Sequence, residues 1–98
     1  MNPRQSEIEI RRLAQAGRIT LTRHARERDP GRGKRPLGIE AIRAALIHGT
    51  VVEGPAPNSS GGLRFTVRRH REGERAEVAG VLHEGDRVRV ITGYATEH

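Results

Sequence analysis

Apolar residues recur at two different spacings along this chain. The first half shows helical spacing, and the last third alternates. Ile10, Leu13 and Ala14 fall on one helical face, preceded by Ser6 and followed by Gly17. The pattern predicts a frayed end over residues 1–5 and a helix over 6–16. Ser6 would be its N-cap, with Glu9 reaching back in a capping box, and Gly17 its left-handed stop. Residues 18–22 alternate, with Ile19 and Leu21 opposed to Thr20 and Thr22, and read as a short strand. Residues 23–48 read as a helical segment interrupted by a basic loop at 29–36, where two prolines and two glycines break regular structure. Its clearest part is a helix over 39–48, with Ile39, Ile42 and Leu46 as the buried face and Gly49 at the end.

From residue 50 to 95 the pattern predicts a β-meander. A short strand at 50–53 leads into a flexible loop at 54–62, GPAPNSSGG. Leu63, Phe65 and Val67 then face one side, while Arg64, Thr66, Arg68 and His70 face the other. Turns are expected at Glu72-Gly73 and at residues 84–86, with strands over 75–83 and 87–92 and a close at Gly93-Tyr94. Helices first and strands after predict an α+β single domain over residues 1–98. In it, N-terminal helices pack on one face of a mostly antiparallel, twisted sheet of four to five strands.

Composition narrows the function classes. The 98 residues suit one domain with one modest core. Phe65 and Tyr94 are the only aromatic residues. Cysteine is absent, which excludes disulfides and thiolate metal sites. No apolar run is long enough to cross a bilayer and the N-terminus has no signal-peptide core, so a cytoplasmic location is expected. Lys and Arg outnumber Asp and Glu by 18 to 12, a net charge of +6, and the isoelectric point is about 11.3. Such a surface attracts polyanions by neutralising phosphates and releasing counterions. Arg dominates the basic residues, a bias that a GC-rich genome would also produce. RNA is the partner these features favour, and no membrane partner is expected.

The segment Thr22-Arg23-His24-Ala25-Arg26-Glu27-Arg28 resembles the T-x-H-A-x-x-R segment of a bacterial domain-of-unknown-function family. The helix at 39–48, Gly49, residues 50–53 and the closing Val90-Ile91-Thr92-Gly93-Tyr94 follow in the matching order, so the resemblance spans residues 17 to 95. More distantly the chain is similar to the RelE and MqsR mRNA interferases and to the barnase–EndoU–colicin–RelE fold. The loop at 29–36 departs from that pattern by lengthening the link after Arg28. The resemblance implies a RelE-like sheet, ribonuclease activity on mRNA, which can be ribosome-bound, and a cognate antitoxin protein as partner.

Metal-independent RNA cleavage needs a base for the 2′-hydroxyl proton, an acid for the leaving 5′-oxygen, and cations for the charged phosphorane. His24 and Arg28 are four residues apart and share one face if the segment is helical. They are candidate catalytic residues, or else a capping histidine and a salt-bridged arginine. Arg68 and Tyr94 are the other two catalytic candidates. Tyr94 can act on a phosphate or stack on a base, and can equally cover the core edge. Arg23, Arg26, Lys34, Arg35, Arg64, Arg87 and Arg89 are candidate RNA-binding residues, with an ordinary solvated surface as the alternative. His70 and His83 are weaker acid–base candidates. His48 fits a helix C-terminus, and terminal His98 is uninformative.

The histidines lack metal-site spacing, so no metal and no cofactor is expected. Gly31-Arg32-Gly33-Lys34 lacks phosphate-loop spacing. Three functions therefore compete. The first is a metal-independent endoribonuclease toxin of a toxin–antitoxin pair. The second is a non-catalytic basic module that binds RNA or protein, although the shortage of aromatics argues against base-stacking types. A DNA-binding regulator is disfavoured, because the 39–48 helix carries only Arg43 as a groove-reading cation.

Overall fold

The computed structural model describes residues 1–27 and 30–97. Helix α1 runs Pro3–Gln15, three residues ahead of the sequence expectation. Asn2, not Ser6, is its N-cap. The Asn2 side chain accepts from the Gln5 backbone N–H at 2.8 Å, and the Gln5 side chain accepts from the Asn2 N–H at 2.9 Å. Pro3 at the first position is preorganised for a helix and has no N–H to leave unpaired. Residues 3–5 are therefore helix rather than a frayed end. Ser6 lies inside the first turn, fully buried, and its hydroxyl donates to the Pro3 carbonyl at 2.8 Å. Glu9 pairs instead with Arg12 and accepts from the Gly85 N–H at 2.6 Å, which ties α1 to a distant turn.

Helix α2 is the short segment Arg23–Glu27, and α3 is Ile39–His48. In α3, Ile42, Ala45 and Leu46 are buried. Ile39, expected on that face, is 46% exposed. At the first helical position its Cβ leans toward the N-terminus, away from the packed turns. Helices α1 and α3 satisfy each other's terminal carbonyls. Arg11 donates to the Ile47 carbonyl at 2.7 Å, and Arg43 donates to those of Ala14 and Gln15. A cation at a helix C-terminus also meets the negative end of the dipole.

Among the described residues six strands form one mixed sheet, so the expectation of four to five is corrected. They are β1 (Ile19–Leu21), β2 (Lys34–Pro36), β3 (Thr50–Pro57), β4 (Leu63–Arg71), β5 (Glu74–His83) and β6 (Arg87–Glu97). The order is β1-β6-β5-β4-β3, with β2 also on β6. Of these described strands, only β1 pairs in parallel. Strand β2 falls within the expected loop 29–36. Pro36 is tolerated because it sits on an edge strand, where its missing N–H breaks no ladder. Strand β3 takes in residues 54–57 of the expected flexible loop. Register shifts between Val51 and Glu53 and between Glu53 and Ala56 absorb the irregularity, with Gly54 at φ +81°. The Gly54–Pro55 peptide is cis.

Strand β6 does not stop at 92 and runs on through Tyr94. Gly93 marks a close approach instead of an end. A Cβ there would lie 3.1 Å from the Ile42 side chain, so α3 presses on the sheet at this point. Ile10, Leu13, Ile42 and Leu46 pack on Phe65, Val67, Val78, Leu82, Val88 and Val90 in one core. Each such side chain contributes about 1.5–3 kcal/mol on burial. This cluster lies on the side of α1 and α3. Among the described residues, no helix covers the opposite face, and no helix is long and apolar enough to cross a membrane.

Candidate functional site

The uncovered face of the sheet is built by strand register. Side chains alternate across a strand, so residues opposite the core positions of β4, β5 and β6 stand together. Four cross-strand rows result: Arg64–Val81–Arg89, Thr66–Ala79–Thr92, Arg68–Glu77–Tyr94 and His70–Arg75–Thr96. His83 and Arg87 extend the face at one end. Lys34, opposite Thr96 on β2, extends it at the other. The expected row Arg64, Thr66, Arg68 and His70 is therefore present, and so is the pair Arg87 and Arg89.

Glu77 is the one acidic residue in the four rows, and it is the hub of the third. Its Oε1 accepts from Arg68 Nε at 2.8 Å, and its Oε2 accepts from the Tyr94 hydroxyl. Arg75 Nε stands 3.7 Å from Oε1. Burial pushes the Glu77 carboxyl up, but the bonds from Tyr94 and Arg68 and the charges of Arg68 and Arg75 outweigh it. Its pKa is lowered overall. The hydrogen bond to Glu77, reinforced by burial and the carboxylate charge, raises the Tyr94 phenol. At neutral pH the pair is therefore a carboxylate beside a neutral phenol. Lys34 Nζ lies 4.5 Å from the centroid of the Tyr94 ring, a cation–π contact that fixes the ring from the β2 side.

The other expected residues are distributed as follows. Arg64 and Arg89 have no carboxylate partner among the described residues. Arg64 Nε reaches the Pro57 carbonyl at 3.3 Å, and Arg89 Nε is buried without a hydrogen-bond partner. Arg87 pairs with Asp86 at 2.7 Å. Arg35 pairs with Glu74 on the core side of the sheet, since its neighbour across β6 is Ala95. Arg23 pairs with Glu27 along α2, and His24 and Arg26 are exposed on the same helix. His24 shares no hydrogen bond or ion pair with Arg68 or Tyr94. Arg28 and His98 lie outside the described residues. His48 is exposed at the end of α3, and His83 Nε2 is buried without a partner among the described residues.

The T-x-H-A spacing has a local structural explanation. The Thr22 hydroxyl accepts from the Ala25 N–H at 3.1 Å and caps α2, while Ala25 packs against the core. The structure thus brings Arg68, Tyr94 and Lys34 together and leaves His24 exposed on α2, outside that cluster. Glu77 and Arg75 are missing from the sequence expectations. The same period-two rule that placed Arg68 places them on one face of β5, but which residues they oppose depends on register.

No family model matches this chain, and neither the curated proteins nor the solved structures yield a match. Among the described residues, no three His, Asp or Glu side chains cluster as a metal site would require.

Proposed function

We propose that the uncovered sheet face binds RNA and that the protein is a metal-independent endoribonuclease centred on Glu77. One observation carries this reading. On a face rich in cations, where Arg64 and Arg89 have no carboxylate partner among the described residues, the Glu77 carboxylate is held between two guanidiniums and a neutral phenol. Those are the parts that 2′-hydroxyl attack requires.

The Glu77 carboxylate takes the 2′-hydroxyl proton, and the 2′-oxygen bonds to phosphorus. The bond from phosphorus to the 5′-oxygen breaks, and the Tyr94 phenol protonates that oxygen. The products are a 2′,3′-cyclic phosphate and a 5′-hydroxyl. Glu77 then returns its proton to Tyr94 along the hydrogen bond they share. Arg68 and Arg75 neutralise the phosphorane, Arg68 with two donors. His24, Arg23 and Arg26 on α2 are not the acid or base in this reading. The resemblance to RelE-like toxins supports a toxin role, with mRNA as substrate and an antitoxin protein covering the same basic face.

The second reading is a non-catalytic RNA grip. It is favoured by the fact that both Glu77 oxygens are already engaged, as in a fixed cross-strand network. The deciding experiment incubates the full chain with labelled single-stranded RNA in EDTA. Cleavage leaving 2′,3′-cyclic phosphate ends is expected, and Tyr94→Phe and Arg68→Ala should each slow it by about 10²–10³. RNA that is bound but left intact would establish the grip and end the nuclease reading.

A further inference from the structure

Between the row that carries Glu77 and the row that carries Arg64 and Arg89, the sheet face is hollow. A cavity of about 330 Å³ opens there. It exists because the second row offers almost no side-chain bulk. Ala79 is its floor on β5, and Ala56 and Gly54 leave the β3 side open where that strand bulges. At Gly54 any larger residue is barred, since a Cβ would lie 2.3 Å from the Arg64 carbonyl oxygen. Ile91, partly exposed beside the β6 irregularity, supplies an apolar wall. Thr66 and Glu53, opposite each other in register, bring a hydroxyl and a carboxylate to the rim. An apolar hollow of this size with a polar rim suits a ring system that has hydrogen-bonding edges.

The charges beside the cavity are placed for phosphate. Arg64 and Arg89 flank Val81, one strand to each side. Val81 is fully buried although it stands on this face, with Gly62 of the β3–β4 loop packed close enough that a Cβ there would lie 2.5 Å from the Val81 side chain. Neither arginine has a carboxylate to neutralise it among the described residues, and Arg89 Nε is buried without a partner. A buried, unsatisfied charged donor is costly unless an anion completes it. Successive rows on one face are about 7 Å apart along the strands. A ring in the hollow therefore has Arg64 and Arg89 one row to one side, and Arg68 and Arg75 in the adjoining rows on the other.

We infer that this hollow is a nucleotide subsite. It holds one base of a single-stranded RNA, with the phosphate on one side gripped by Arg64 and Arg89 and the phosphate on the other delivered to Glu77. The inference rests on the RNA-binding part of the function proposed above and does not require that the bound RNA be cut. The chain reads the nucleotide by shape and by its flanking phosphates, which suits a protein short of stacking aromatics.

The test is titration of the isotope-labelled full chain, followed by NMR, with adenosine 5′-monophosphate and with ribose 5-phosphate, which lacks the base. The nucleotide should shift the amides of Thr66, Ala79 and Ile91. The sugar phosphate should shift those around Arg64 and Arg89 and leave Ala79 unmoved. Ala79→Leu, which fills the floor, should abolish the preference for the nucleotide over the sugar phosphate. Arg64→Ala with Arg89→Ala should weaken a single-stranded RNA hexamer tenfold or more. Arg4→Ala with Arg12→Ala, an equal loss of charge on the exposed side of α1, should change it less than twofold. Unmoved Ala79 and Ile91 amides in the wild-type chain would overturn the subsite, whatever the variants do. So would hexamer affinity insensitive to Ala79→Leu. A hollow that binds the nucleotide in a chain that cuts nothing would preserve this inference while removing the nuclease.

Discussion

Replacing Glu77 by Gln separates a reacting carboxylate from a structural one. The substitution keeps the shape and removes the charge. Glu77 is 12% exposed, while Arg68 and Arg75 are each about a third exposed. A charge-assisted bond between buried groups is worth about 1.5–3 kcal/mol. Water around both guanidiniums screens much of that, so the variant should lose only about 1–2 kcal/mol of stability. For a domain of this length such a loss lowers Tm by roughly 4–16 °C. A domain stable by about 5 kcal/mol that loses 2 kcal/mol remains roughly 99% folded. Unfolding therefore cannot account for a large loss of activity.

Chemistry predicts a different magnitude. Loss of a general base slows the reaction by about 10²–10⁴. RNA affinity should hold or rise, because a carboxylate that repels phosphate has gone while Arg68 and Arg75 remain. The assay is single-turnover cleavage of labelled RNA, with affinity and the melting curve measured on the same preparation. A rate reduced at least a hundredfold, with RNA affinity kept and a folded protein, is the expected result. A rate within threefold of wild type would refute the assignment of Glu77 as base and leave it a cross-strand ion pair.

Three further outcomes follow from the fold and the ionisations. Gly49→Ala should be severely destabilising although its φ of −84° suits any residue, because a Cβ would lie 2.4 Å from the Val67 side chain and 2.5 Å from the Ala45 carbonyl oxygen. The loss should exceed about 3 kcal/mol in urea denaturation. Asn2→Ala removes the cap of α1 and should cost about 1 kcal/mol by the same measurement, whereas Ser6→Ala should leave helix initiation intact. Stability should also fall at both pH extremes. The lowered Glu77 and Glu9 carboxyls contribute above the ordinary carboxylate pKa and lose that contribution as pH drops through their folded values. The raised Tyr94 phenol contributes below its ordinary pKa and loses that contribution as pH climbs through its folded value. Melting curves across pH for wild type and Tyr94→Phe check this, and the alkaline limb should flatten in the variant.

Local chemistry made much of the architecture legible. Helical spacing located Ile42 and Leu46, and alternation put Phe65 and Val67 on the core side with Arg64, Thr66 and Arg68 opposite. Gly73 and Gly85 marked turns where φ is positive. The misreadings came where two local signals competed. Ser6 with Glu9 looked like a capping box, but Asn2-Pro3 with Gln5 starts the helix earlier, and Ser6 then finds its own acceptor inside the turn. Gly93 looked like a strand end and proved to be the place where α3 needs room. Pro36 and Pro55 looked like loop markers, yet an edge strand and a bulged strand each accept a proline.

The candidate site was less legible because it is a property of register, not of any segment. His24 attracts attention in a line of sequence, since it stands in a basic run beside a recognisable spacing. Glu77 attracts none. It becomes central only when residue 68 of β4 and residue 94 of β6 are both set opposite it, and that alignment is fixed by the turns at 72–73 and 84–86 and the β6 irregularity beyond Gly80. A one-residue slip in either pairing would send Arg68 or Tyr94 to the core face and dissolve the cluster. The same alignment stacks the small residues of the second row into a hollow between two charged rows. The proposed cleavage centre and nucleotide subsite are thus two consequences of one strand register, and insertions in the β4–β5 or β5–β6 turn that shift it should abolish them together.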